Sequence, residues 1–352
     1  ITLPTSAIWG VVGSARFGST NVTVVLSNTG GYFTTNGSTW TACTGLAPVN
    51  YLYTARSSTH LLAISNNAIS GTTTGSTWTG LTTPGGYGTF TSIACEQDVF
   101  IITTNNGFVL RSVDNGSSWT AASLVPYDGS TPALTHSAGG SGLFIVCDDM
   151  GQTYESSNLG VNWNPGPDIG STGINVQDLV YGNNRFVAAC NDNPNDSSTL
   201  SNRFYYTLAN QATVASSAIT VWQPSELPPE SDQYVISYSH GCFVAITELG
   251  DLAESIDGKH WKVLGTQLGA GGPGSWVTIA GGSVNGPCFI PLTDASTNQI
   301  RVIRYGARAL GRARINGGRL SLVELIEPGS GYSSTPSMTI VDNSCLLYTS
   351  DA

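Results

Sequence analysis

Hydrolysis of a glycosidic bond needs two carboxylates about 5–10 Å apart, one protonating the leaving group and one attacking or activating water. Glutamates stand singly at Glu96, Glu155, Glu226, Glu230, Glu248, Glu254, Glu324 and Glu327, and their spacing marks no such pair. His60, His136, His240 and His260 show neither the H-x-x-H nor the H-E-x-x-H spacing of a zinc site. His60 and His240 precede apolar runs and read as hydrogen-bonded turn residues. Asp148-Asp149 and Asp192/Asp196 read as solvated acidic turns rather than calcium ligands. No G-x-S-x-G elbow occurs, so no serine stands out as a nucleophile. The seven cysteines are an odd number without a C-x-x-C pair. Cys147, Cys190, Cys242 and Cys288 lie in or beside apolar runs, where Cys behaves as a small buried hydrophobe. The expectation is a protein without catalytic residues, metal or cofactor.

The elements that would position any site are short strands. Of the 352 residues only 10% are charged while 40% are hydrophobic, and 42 are Gly, alongside abundant Ser, Thr and Asn. Turn-formers and β-branched residues in this proportion indicate an all-β chain. The net charge is −10 and the lysines are Lys259 and Lys262 alone. Such a surface repels phosphate backbones and anionic lipid, which argues against nucleic acid and membrane insertion. One arginine-rich segment, Arg301 to Arg319, reads as an alternating strand surface that balances the acidic body.

Two motifs alternate along the chain. Apolar β runs begin at Val22, Leu61, Val99, Leu143, Arg185, Cys242 and Cys288, about forty residues apart with one longer gap. That period fits four-stranded propeller blades. Turn boxes succeed five of them. Ser112-Val-Asp114-Asn-Gly116-Ser-Ser-Trp119 matches S-x-D-x-G-x-x-W in full, and Ser156-Ser-Asn158-Leu-Gly160-Val-Asn-Trp163 carries Asn for Asp. Ser255-Ile-Asp257-Gly258-Lys-His-Trp261, Thr34-Thr-Asn36-Gly37-Ser-Thr-Trp40 and Thr72-Thr-Thr-Gly75-Ser-Thr-Trp78 are one residue shorter.

Each residue type has a reason. An Asp or Asn oxygen accepts backbone N–H bonds in the turn between a blade's two outer strands. Gly supplies the positive φ, and the Trp returns to pack under the hairpin. The boxes are therefore structural, and Trp119→Ala is expected to loosen a blade. One repeat writes out a blade as residues 90–95, 99–104, 107–113 and 118–123. The fifth blade carries an insertion after Asn191 and no box, and the seventh, from Trp276 to about Tyr305, is also boxless.

Residues 8–306 resemble Asp-box (bacterial neuraminidase repeat) propellers, a group that includes sialidases and photosystem II assembly factors. The resemblance implies a seven-bladed β-propeller over residues 1–307. A small β module comes next at 308–344, where Pro328-Gly-Ser-Gly-Tyr332 and Thr335-Pro336 look like a repeat of tailed-bacteriophage tail and virion proteins. Residues 345–352 resemble the in-frame translation of a transposon-based sequencing adapter; the expectation is a metagenomic reading frame cut at both ends, and these residues are given no functional weight.

Sialidases place one of three converging arginines in an F/Y-R-I-P motif, but Arg16 is followed by Phe17-Gly18. Arg56, Arg111, Arg185 and Arg203 are scattered over blades, with no Tyr–Glu pair to accompany them. The resemblance instead implies recognition on the face opposite the boxes. Long connections at 80–89, 121–134, 164–175 and 223–233 would build it, with Tyr87, Tyr127, Asp128 and Asp168 as the residues suited to stacking on and hydrogen-bonding sugars. The expected function is that of a non-catalytic tail-fibre or baseplate protein on the virion surface, binding host-surface carbohydrate or other virion proteins; the alternatives are a sialidase-like glycoside hydrolase or a cellular assembly-factor propeller of the photosystem II type. As a tail fibre it would be a homotrimer.

Overall fold

The computed structural model describes residues 9–37, 39–124, 132–170, 174–192, 203–207, 222–225, 234–239, 241–247, 251–266, 276–282, 288–293, 303–304, 310–316, 319–327, 337–340 and 346–350. From residue 276 onward the description is of the backbone alone. Among the described residues all elements are strands. Blade one is β1 (Trp9–Phe17), β2 (Thr20–Ser27), β3 (Gly30–Thr34) and β4 (Thr41–Ala42). Blade two is β5 (Tyr53–Arg56), β6 (Leu61–Ile64), β7 (Ile69–Thr72) and β8 (Thr79–Leu81), and blade three β9 (Phe90–Glu96), β10 (Val99–Thr104), β11 (Phe108–Ser112) and β12 (Thr120–Ser123). Blade four is β13 (Leu134–Gly140), β14 (Leu143–Asp148), β15 (Thr153–Ser156) and β16 (Asn164–Pro165), and blade five β17 (Ile174–Gly182), β18 (Arg185–Asp192), β19 (Arg203–Thr207) and β20 (Trp222–Pro224). Blade six is β21 (Tyr234–Ser239), β22 (Cys242–Thr247), β23 (Asp251–Ser255) and β24 (Lys262–Thr266). Each blade is an antiparallel meander, and the first strands of successive blades are neighbours around a ring.

The apolar runs are the second strands. β6, β10 and β14 are buried along their whole length. A blade is covered on both faces by its neighbours, so its central strand reads as a continuous apolar run rather than an alternation. The core accordingly lies between blades. Ile101 and Val109 of blade three pack with Phe144, Val146, Tyr154 and Trp163 of blade four. Val187, Phe204 and Tyr206 of blade five pack with Phe243, Ala245 and Trp261 of blade six.

The expectation of seven blades is corrected: among the described residues the ring has six four-stranded blades. After blade six the chain forms a three-stranded sheet of β25 (Trp276–Gly282), β26 (Cys288–Thr293) and β27 (Ile303–Arg304), placed between β21 and β1. Its apolar run at Cys288 mimics a blade in the sequence. No turn box and no further Trp come after it in the sequence, and three strands of this sheet are described. A last sheet, ordered β29-β28-β31-β30, comprises β28 (Leu310–Asn316), β29 (Arg319–Glu327), β30 (Ser337–Ile340) and β31 (Leu346–Ser350). β31 falls within residues 345–352, and it pairs with both β28 and β30.

Candidate functional site

The two ends of the ring are built from different connections. One end, the box face, carries the first-to-second-strand turns and the boxes. The other, the loop face, carries the second-to-third-strand turns and the connections between blades.

At the box face five turns share one hydrogen-bond pattern. The first Ser or Thr hydroxyl accepts from the Gly N–H at 2.8–2.9 Å in the turns of Thr34, Thr72, Ser112, Ser156 and Ser255. In four of them it also donates to the Asn or Asp oxygen two residues on. That oxygen then accepts a backbone N–H further round: Thr39 to Asn36, Ser118 to Asp114, Asn162 to Asn158 and His260 to Asp257. The one-residue difference in length is absorbed locally, because the extra residues Asn115 and Leu159 take φ of 57° just before the Gly. The indole N–H of Trp78, Trp119 and Trp261 closes each of their turns on the Gly carbonyl at 3.0–3.1 Å.

Two box carboxylates are held below the ordinary range. For Asp114 the causes are the Ser118 hydroxyl, then the Ser118 and Ser112 bonds, outweighing burial. For Asp257 burial works the other way and is overcome by His260 and Lys259. A depressed folded pKa gives stability that is present above the unfolded value and lost as pH falls below about 4. Asn158 already does the same work without a charge. Asp114→Asn is therefore expected to leave the melting temperature at pH 7 within a degree or two and to raise it at pH 3. A loss at pH 7 comparable to that of Asp114→Ala would show that the charge itself is needed.

Other box-face side chains are spent on neighbouring blades. Asp98 accepts from Ser58, Ser57 bonds Asn115, and the Glu96 carboxylate accepts from Gly142 N. Tyr238 donates to Asn183 at 2.6 Å, and Tyr181 bonds Ser141 and Asn184. Arg111 runs to the Leu159 carbonyl of the next blade's box, and Arg185 lies over the Tyr206 ring. Arg16 and Arg56 end β1 and β5 at this same face. These four arginines therefore stand at the box end, away from the face where sialidase-type convergence would be sought.

The loop face is capped by a second recurring turn that sequence reasoning missed. Each of the first four apolar runs ends in a hydroxyl or carboxylate followed by Asn or Asp: Ser27-Asn28, Ser65-Asn66-Asn67, Thr104-Asn105-Asn106 and Asp148-Asp149. The first side chain folds back on the turn. Ser27 accepts from Thr29 N, Ser65 from Ala68 N, Thr104 from Phe108 N, and Asp148 from Met150 and Gln152 N. The residue after it grips the next blade through its carbonyl, Asn66 O accepting from Phe90 N and Asp149 O from Val176 N. Asn66, Asn67, Asn105 and Asn106 are thereby left with exposed carboxamides around this end, Asn105 also accepting from Thr89 N. The signal was present as a two-residue repeat, short enough to pass for ordinary turn composition.

Of the residues expected to bind sugar, Tyr87 and Asp168 are described and stand in different blade junctions. Tyr87 lies between blades two and three, half-buried with its ring edge-on to Phe108 at 5.2 Å, so it packs rather than presents a stacking surface. Asp168 lies between blades four and five, and burial pushes its carboxyl up. It adds to the raised pKa of Asp148, whose first cause is burial and to which Asp149 also contributes. Tyr127, Asp128, His240, Asp196 and most of 223–233 lie outside the described residues. His60 is the turn residue expected, its Nδ1 bonded to Thr59 at 2.9 Å. Cys147 and Cys190 are buried and Cys242 half-buried, none of them in a disulfide.

No family model matches the chain, and no curated protein matches it. Solved structures do. YCF48 from Cyanidioschyzon merolae superposes with a TM-score of 0.60 at 12% identity, over 85% of this chain and 96% of its own. YCF48 bound to a D1 peptide gives 0.58 at 15%, over 86% and 93%. The chain folds as a β-propeller. The WD40 propeller domain of Doa1 gives 0.58 at 14% identity, over 86% and 94%. The GH74 xyloglucanase from Xanthomonas campestris gives 0.57 at 13%, over 89% of this chain but 57% of that one. Identities this low establish architecture alone, because one fold carries many unrelated functions.

Proposed function

We propose that the chain is a non-enzymatic recognition protein that holds its partner on the loop face. The observation that carries this reading is the asymmetry of the two ends. Box-face polar groups are spent on the turns and on adjoining blades, whereas the loop face presents exposed Asn66, Asn67 and Asn106 carboxamides. A carboxamide offers both a donor and an acceptor, which suits the hydroxyls of a glycan or the backbone of a polypeptide. The peptide complex of YCF48 supports a binding role for a propeller of this shape. The setting we propose is the particle of a tailed phage, in a tail fibre or baseplate, with a host-surface glycan or an adjoining virion protein as partner. Its support is the low-charge Gly/Ser/Thr/Asn composition and the Pro328–Thr335 turn sequence.

Glycan arrays and whole-cell binding test the reading with the full chain. Replacing Asn66, Asn67 and Asn106 together by Ala is expected to weaken binding at least about tenfold, the scale of one or two lost net hydrogen bonds. Arg56→Ala on the box face is the control and is expected to leave binding unchanged. The reverse pattern would move the site to the box face. A second reading, glycoside hydrolysis, is favoured by the nearness of Asp148, Asp149 and Asp168 and by the xyloglucanase likeness. Turnover of xyloglucan or an aryl glycoside that Asp148→Asn abolishes would replace the recognition reading.

A further inference from the structure

The inner strands of the ring are tied to one another by single side chains reaching across blade junctions. Thr54 donates to Val12 O between blades two and one at 3.2 Å, and Ser92 bonds Ser137 between three and four at 2.8 Å. The two ties flanking blade five are chemically different. His136 Nε2 meets Val176 O at 3.1 Å between blades four and five. Asp178 accepts from Ile236 N at 3.0 Å between blades five and six, and from Leu179 N at 2.9 Å. Thr and Ser do not titrate; His and Asp do. We propose that blade five is moored by a titratable pair, His136 and Asp178, which makes the junctions on its two sides respond to pH in opposite directions.

The geometry sets the direction. A carbonyl only accepts, so His136 must carry its proton on Nε2 to bond Val176 O. It is buried against β17 at 8% exposure, so a cation there would keep little of its hydration. The groups around it are Asp149 and the thiols of Cys147 and Cys190; the Val176 carbonyl and then the Asp149 charge favour a cation. Burial dominates and holds the imidazole down at about 4. Asp178 sits at the inner edge of the ring, where the fold brings the Tyr53 hydroxyl and the Cys147 thiol into its field. Tyr238 on β21 is engaged with Asn183, and Arg185 on β18 lies over Tyr206, so neither neutralises it. Asp178 is half-buried, and the desolvation it suffers among the inner strands pushes its carboxyl up to about 7 despite the two N–H bonds.

The closed 5/6 junction therefore favours protonated Asp178. Its opening grows as pH rises from about 4 to 7, by at most about tenfold per unit for one proton, and is constant above. The closed 4/5 junction favours neutral His136. Its opening grows as pH falls from about 6.5 to 4 and is constant above that range. Between about 4 and 6.5 the two effects oppose each other. Global stability stays nearly level while the weaker junction moves from one side of blade five to the other.

Amide hydrogen exchange on the full chain, corrected for intrinsic rates, tests this from pH 4 to 8. Protection of the Ile236 amide is expected to fall as pH rises to 7, and that of the Val176 amide to rise up to 6.5. Asp178→Asn, which keeps an acceptor, should flatten the first slope only. His136→Gln, which keeps a donor, should flatten the second only. Level protection in the unaltered protein, or a slope that survives its own substitution, would overturn the proposal. Should either variant fail to fold, carboxyl and imidazole NMR titrations of the unaltered protein decide it. Asp178 titrating below pH 5, or His136 above pH 6, would overturn it.

Discussion

Trp261→Ala is expected to cost about 3–5 kcal/mol, the loss of a large buried aromatic with incomplete collapse of the space it leaves. Trp261 is 2% exposed, stacks on Phe204 of blade five with centroids 4.1 Å apart, and donates to Gly258 O at 3.0 Å. Truncation thus removes three things at once: the area buried between two blades, the ring contact, and the bond that closes the box turn. Burying a Trp removes about 150–250 Å² from water, an upper bound of roughly 4–6 kcal/mol, so the expected loss sits inside that limit. Urea unfolding monitored by far-UV circular dichroism measures it. Trp119 is the informative comparison. It makes the same bond to Gly116 O at 3.1 Å but is only half-buried, so Trp119→Ala should cost about half as much. Equal losses would mean that the turn bond, rather than interblade burial, sets the value of the box tryptophan.

That difference marks what local sequence can and cannot specify. The box residues and the apolar runs are legible because their roles are met within one hairpin or one strand. Ser112, Asp114 and Gly116 bond each other, and β10 opens on four apolar residues and is buried throughout because both of its faces are covered. The blade count is not a local property. The run at Cys288 has the right texture, yet no box and no returning Trp come after it in the sequence, and three strands of its sheet are described. The site was legible only in part. The two-residue turn signal after the first four apolar runs is short enough to pass for ordinary turn composition, and Tyr87 looked available for a ligand and is packed on Phe108. His136 and Asp178 gave no signal at all, since their partners Val176 and Ile236 are about forty and sixty residues away and belong to other blades.

Gly45→Ala is expected to cost about 2–4 kcal/mol, near the cost of a core truncation although no core atom is removed. Gly45 lies in the connection from blade one to blade two, with φ of 78°, where an L side chain is already disfavoured by about 1 kcal/mol. Its added Cβ would stand 2.1 Å from the Trp78 carbonyl oxygen and 3.1 Å from the carbonyl carbon. Both obstacles are backbone, so no side-chain rotation relieves the clash. The same backbone is pinned from two sides, Thr44 N donating to Ser76 O and Trp78 N to Thr44 O, each at 2.8 Å. The connection must therefore lift off the box turn of blade two, and those two bonds go with it. Gly80→Ala in β8 is the control, because nothing lies within 4 Å of the new Cβ and its φ is ordinary. It should stay within about 0.5 kcal/mol of the unaltered protein. A Gly45→Ala protein as stable as Gly80→Ala would mean that this seam is held by its apolar interior alone. The expected gap between the two means that the ring is also fastened at its rim, one blade's exit lying on the next blade's turn.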